Sequence, residues 1–147
     1  MKLGVDCGNV ILEQMNGTPV KNSLDTLKKI FEIKMFSDIY IISKCGPTVQ
    51  ELTLKWLKDL NFWNTTGISK DNIRFCRKFY QKEPICNELG ITHFIDDRPR
   101  VLNCLNSVKN LFAFNPIAKS LSEYKQTKPL VIVYSWEEFF QYLSTNQ

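Results

Sequence analysis

Apolar and polar positions follow two rhythms along the 147-residue chain. Short apolar runs closed by polar or acidic residues fall at Lys2–Val5, Ile39–Ile42, Ile73–Cys76, His93–Ile95, Leu111–Phe114 and Leu130–Val133, and read as buried strands. Stretches with helical spacing lie between them. These are Leu24–Phe31, Val49–Leu60 with Leu52, Trp56, Leu57 and Leu60 as its apolar positions, Ile85–Leu89 stopped by Gly90, and Val101–Leu105. A last helix opens on Ser135-Trp136-Glu137-Glu138, an S-x-x-E capping box in which the Ser and Glu side chains satisfy orphan amides reciprocally. Strands alternating with helices predict an α/β domain of Rossmann-like, three-layer α/β/α build, with a mostly parallel sheet of five or six strands. Residues 1–147 read as one domain, since neither a repeat nor a linker interrupts the pattern. Residues 115–128 carry no clear rhythm and are expected to form a surface loop.

Composition removes several kinds of chemistry. The chain is 44% apolar, which excludes intrinsic disorder, and no apolar run approaches the roughly 20 residues of a membrane span. Asp6 interrupts what would have to be the apolar stretch of a signal peptide, and the five cysteines form no C-x-x-C pair; both point to a reduced, cytoplasmic setting. With a single His, His93, zinc sites and His-based triads are nearly excluded. His93 itself opens an apolar strand and reads as a core residue, and Cys7 as a small buried one. The net charge of +4 permits a phosphorylated partner without requiring one. Phe62, Trp63, Phe75, Phe79 and Tyr80, interleaved with Arg74, Arg77 and Lys78, admit a nucleic-acid stacking face and equally ordinary core packing with a solvated rim.

In open parallel sheets ligands bind beyond the carboxyl ends of the strands, so the residues just after each strand carry the functional reading. The first strand ends in Asp6-Cys7-Gly8-Asn9, the second in Ser43-Lys44-Cys45-Gly46, and the fourth in Asp96-Asp97-Arg98. If the first and fourth strands are neighbours, up to three carboxylates share one crevice, a donor set suited to a hard cation such as Mg²⁺. Ser43 offers a hydroxyl there, or simply caps a turn. Lys82, ahead of the helix leading into the fourth strand, offers an ammonium, with Lys78 as its competitor. Such a site suits phosphoryl transfer to a carboxylate nucleophile.

Four segments in order then resemble the motifs of the haloacid dehalogenase superfamily of phosphohydrolases: Gly4-Val5-Asp6-Cys7-Gly8-Asn9-Val10-Ile11, Ile39-Tyr40-Ile41-Ile42-Ser43, Lys82, and Phe94-Ile95-Asp96-Asp97. The resemblance covers about residues 2–114. It implies that Asp6 is the nucleophile, that Ser43 and Lys82 bind the phosphate, and that Asp6, Asp96, Asp97 and the Gly8 carbonyl hold Mg²⁺. It further implies a Mg²⁺-dependent phosphomonoester hydrolase acting through an aspartyl-phosphate. The cap domain of many relatives has no room here, because residues 11–37 hold one helix and a turn at Asn16-Gly17; a capless site stays open to bulky substrates. Phospho-receiver domains use a similar donor set, but their paired acids accompany the first strand rather than the fourth.

One position departs from the family pattern. Gly8 stands where the resemblance places a second Asp, the general acid and base, a role worth about 10² to 10⁴ in rate. The sequence leaves three outcomes: a substrate with a good leaving group such as an aryl or acyl phosphate, a substitute acid in Glu13 or Asp97, or a catalytically weakened module that binds phosphate or protein. The phosphorylated partner can be small or macromolecular, and the oligomeric state is not legible.

Overall fold

The structure is a computed structural model and describes residues 1–146. Six strands form one sheet in the order β3-β2-β1-β4-β5-β6, every adjacent pair parallel: β1 Lys2–Val5, β2 Asp38–Lys44, β3 Ile73–Cys76, β4 His93–Asp96, β5 Asn110–Phe114 and β6 Leu130–Val133. Helices α1 Ser23–Glu32, α2 Pro47–Asp59, α3 Phe62–Thr66, α4 Lys82–Leu89, α5 Pro99–Leu102 and α6 Trp136–Asn146 connect and cover them. The expected Rossmann-like α/β architecture is present.

Alternation along the strands divides the core between the two faces. Phe112 and Phe114 of β5 pack with Leu27 and Ile30 of α1 and with Trp136, Phe139 and Leu143 of α6. Leu111 and Ala113, one residue out of phase, pack with Cys86 of α4 and Leu102 of α5. Both sides are apolar because helices cover both, which is why the strands read as near-continuous apolar runs. His93 belongs to this interior, 4% exposed and edge-on to Phe36 at 5.0 Å.

Three local features differ from the sequence reading. Helix α3 follows α2 directly, entered through Asn61 and left through Gly67, both left-handed. Phe62 is fully buried in it, and Trp63 meets the Phe62 ring edge-on. Residues 115–128 are pinned rather than loose. They contain a 3₁₀ helix at Ala118–Glu123, and Lys128 Nζ donates to the carbonyls of Leu105, Asn106 and Val108 at 2.9, 3.0 and 2.6 Å. At the start of α6 the Glu138 amide donates to Ser135 Oγ as expected, but the Glu138 carboxylate accepts from the Tyr134 amide instead of that of Ser135.

Candidate active site

Because all six strands run the same way, their carboxyl ends share one rim. The chain leaves β1 toward β2 on one side and β4 toward β5 on the other, so the switch point lies between β1 and β4. Asp6 follows β1 and Asp96 ends β4; the Asp6 amide donates to the Ile95 carbonyl at 3.0 Å, tying the two ends together.

Beyond Asp6 the chain coils around one carbonyl. The amides of Val10, Ile11 and Leu12 all point to the Cys7 oxygen, and Asn9 is left-handed at φ 63°. Trp136 Nε1 donates to the Val10 carbonyl at 2.8 Å and Ser23 Oγ to the Ile11 carbonyl at 2.9 Å, so α6 and α1 hold this loop from outside. Asn16-Gly17 turns the chain back. Glu13 accepts from the Gly17 amide and donates to the Thr18 carbonyl, while Asn16 Oδ1 accepts from the Thr18 amide.

Lys82 is the first residue of α4 and only 2% exposed, where the sequence alone also allowed a solvated first-turn Lys; Lys78 is exposed. Its Nζ donates to Asp6 Oδ1 at 2.9 Å and to Asp96 Oδ2 at 2.8 Å. The Phe94 ring lies 5.5 Å from the ammonium, and the same ring covers Gly4, where a Cβ would come within 2.5 Å of it. Gly4 thereby makes space for the ring that packs beneath the lysine. Burial acts to lower the Lys82 pKa, but the charges of Asp6 and Asp96 outweigh it and hold the ammonium above the ordinary lysine range.

Asp97 completes an acidic group: oxygens of Asp6, Asp96 and Asp97 lie within 4.8 Å of one another. Burial first, then the Asp6 charge, push both Asp96 and Asp97 above the usual carboxylate range. The Lys82 ammonium pairs with two of these three carboxyl groups, so the donor set fits a hard divalent cation with oxygen ligands. Asp96 Oδ1 also accepts from the Arg98 amide at 3.0 Å, which fixes the carboxylate at the entry to α5.

These groups line a cavity of about 240 Å³. Asp6, Gly8, Ser43, Lys82, Asp96 and Asp97 all border it, so the structure gathers every site residue expected from the sequence. Ser43 is buried at the end of β2 and hydrogen-bonded to the Cys45 side chain. Arg77, after β3, steadies this strand end by donating from Nη1 to the Cys45 carbonyl at 3.0 Å and to Gln50 Oε1 at 2.8 Å. The cavity has further walls that the sequence reading did not assign to it: Leu12, Val49, Trp56, Phe79 and Val101. Val49 and Trp56 follow helical spacing with Thr53, which was the one available signal; Phe79, three residues before Lys82, carried none. Cys7 is buried beside Asp6, where burial pushes its thiol far up, as expected of a packed rather than reactive cysteine.

No protein-family model and no curated protein sequence matches the chain. The solved structures similar to the chain include two phosphatases. The D,D-heptose 1,7-bisphosphate phosphatase of Burkholderia thailandensis aligns over 99% of both chains with a TM-score of 0.67 and 10% identity. The cobalt-bound deoxy-D-mannose-octulosonate 8-phosphate phosphatase of Haemophilus influenzae aligns over 98% of this chain and 86% of its own, with a TM-score of 0.59 and 12% identity. At such identities the likeness concerns the fold. With a six-stranded parallel sheet in the order β3-β2-β1-β4-β5-β6, the chain has the fold of these two phosphatases.

Proposed function

We propose that the protein is a phosphomonoester hydrolase in which Asp6 is the nucleophile. The observation that carries this reading is the buried Lys82 ammonium bound to both Asp6 and Asp96 at the switch point of the sheet. Both similar structures are of phosphatases, one of them cobalt-bound, which supports phosphatase chemistry and use of a divalent metal.

An ammonium has three protons to donate. Two go to Asp6 and Asp96, which holds the Asp6 carboxylate in place; the third is available to an oxygen of the transferring phosphoryl group. The Ser43 hydroxyl takes a second oxygen. Mg²⁺, held by Asp6, Asp96, Asp97 and the Gly8 carbonyl, would offset the charge between phosphoryl group and carboxylates. Asp6 attacks phosphorus, the bond to the leaving oxygen breaks, and water then cleaves the aspartyl-phosphate to return the carboxylate. A single domain without a lid leaves this site open to bulky phosphorylated substrates. Trp56 and the loop after β1 stand beside the site without closing it off.

Gly8 favours a second reading, a module that binds phosphate without turnover. One assay separates the two. With Mg²⁺ and acetyl phosphate, the wild-type protein should release phosphate, and Asp6→Asn should reduce this by several orders of magnitude while the fold, read by circular dichroism, persists. Equal release by both proteins would refute the nucleophile, and no release by either would leave the binding module.

A further inference from the structure

We infer that the substrates are aryl phosphates, whose leaving oxygen departs as a phenolate without a proton from the protein. This rests on the hydrolase reading above and narrows its substrate class. Two independent features of the cavity lead to it.

The first is what Gly8 lacks and what surrounds it. The atoms nearest to a Cβ built there belong to the Gln14 side chain, at 3.6 to 3.7 Å, an ordinary van der Waals contact, and the backbone is not left-handed. Glycine there is therefore not imposed by packing around a Cβ. Asn9 and Gln14 hold each other across the loop, the Gln14 backbone amide donating to Asn9 Oδ1 at 3.0 Å, so the side chain nearest the Gly8 position is a carboxamide, which supplies no proton; Glu13 and Asp97 also border the cavity and are the acids against which the inference is tested. An alkoxide is about as basic as hydroxide, whose conjugate acid has a pKa of about 15.7, and its expulsion calls for an acid. A phenolate, with a conjugate acid near pKa 10, does not.

The second feature is the apolar part of the lining. Leu12, Val49, Trp56, Phe79 and Val101 give the cavity an apolar and aromatic lining that a phosphoryl group has no use for. Val49, Thr53 and Trp56 project from one face of α2, and Phe79 stands three residues before Lys82 with Arg100 packed on its ring at 4.1 Å. A cavity of about 150 Å³ lined by apolar side chains admits benzene. The 240 Å³ here has space for a ring and the phosphoryl group attached to it.

In the first step an Asp6 oxygen bonds to phosphorus and the phosphorus–aryl oxygen bond breaks, its electron pair leaving on the phenolate. In the second, water adds to phosphorus, the bond to Asp6 breaks, and H₂PO₄⁻ departs; the phenolate takes one of its protons in solution, so aryl phosphate and water become phenol and HPO₄²⁻.

The test compares kcat/KM, which reports the first step, for phenyl, cyclohexyl and acetyl phosphate in Mg²⁺. Phenyl phosphate should exceed cyclohexyl phosphate, of similar size, by at least about 10²-fold, the low end of what a general acid supplies. Gly8→Asp should narrow that ratio by raising the cyclohexyl rate. Trp56→Ala should raise KM for phenyl phosphate about tenfold more than for acetyl phosphate, with Trp56→Phe restoring most of the difference. Should Trp56→Ala not fold, Phe79→Leu carries the same comparison. Cyclohexyl phosphate turned over as fast as phenyl, above all if Glu13→Gln or Asp97→Asn then abolished it, would overturn the inference and leave the hydrolase reading standing. Acetyl phosphate hydrolysed equally by wild type and Asp6→Asn would overturn both.

Discussion

The chain's only histidine is held neutral by its surroundings. Burial, helped by the nearby N-terminal charge, lowers His93 from 6.5 to about 4. Phe36 meets its ring edge-on, and Phe112 stacks on it at 6.1 Å. In the unfolded chain the ring takes up its proton near pH 6.5, whereas the folded ring resists until about pH 4. Acid between those values therefore favours the unfolded state, and stability falls as pH is lowered through that window. At 1.36 kcal/mol per pH unit the loss is about 3 kcal/mol by pH 4. His93→Phe should lose less stability than wild type between pH 7 and pH 4.5 in urea titrations. Carboxylate titrations are common to both proteins and cancel in the comparison; identical slopes would show that the ring is protonated in the folded state as readily as out of it.

Helices and loops set the shape of the cavity, and two glycines with the same backbone allow the contributions to be separated. Gly17 and Gly90 both have φ of 74°. A Cβ at Gly90, which ends α4, would meet nothing within 4 Å, whereas at Gly17 it would fall 2.2 Å from Cδ2 of Trp56. Gly90→Ala should then cost only the left-handed backbone term, about 1 to 2 kcal/mol. Gly17→Ala adds overpacking, about 1 to 3 kcal/mol more, and moves the indole that walls the cavity. Chemical denaturation of both variants should show Gly17→Ala as the less stable, and equal losses would mean that Trp56 is free to move aside. The contact of Gly17 with Trp56 was not legible in the sequence, because it depends on which loop lands on which helix. Strand ends were legible for the opposite reason: a short apolar run closed by Asp6, Ser43 or Asp96 follows from local burial and solvation alone. Helix α3 was missed because its five residues are too few for a period, and without their partner α1 Phe62 and Trp63 read equally as a stacking face and as core. The pinning of residues 115–128 rests on Lys128 and Gln126 reaching carbonyls more than twenty positions earlier, which no local pattern announces.

At the scale of the molecule, the sheet order makes neighbours of groups the chain keeps far apart. Asp6 and Asp96 are ninety positions apart in sequence, yet they bind one ammonium. Unfolding disperses the carboxyl groups and dissolves any cation site with them, so a divalent ion that binds the folded protein must stabilise it. At a hundredfold excess over Kd the gain is about 2.7 kcal/mol. For a domain of this length each kcal/mol moves Tm by about 2 to 4 °C, so Mg²⁺ should raise Tm by roughly 5 to 10 °C and EDTA should reverse it. Sodium chloride at matched ionic strength only screens the acidic group and should give a smaller rise. Asp97→Asn removes one of the three clustered carboxyls and part of the repulsion. It should therefore raise the metal-free Tm and shrink the Mg²⁺ increment, a pair of opposite changes that general destabilisation does not produce. A melting temperature indifferent to millimolar Mg²⁺ would mean that Lys82 alone balances Asp6, Asp96 and Asp97, and that the rim between β1 and β4 is a closed ion cluster.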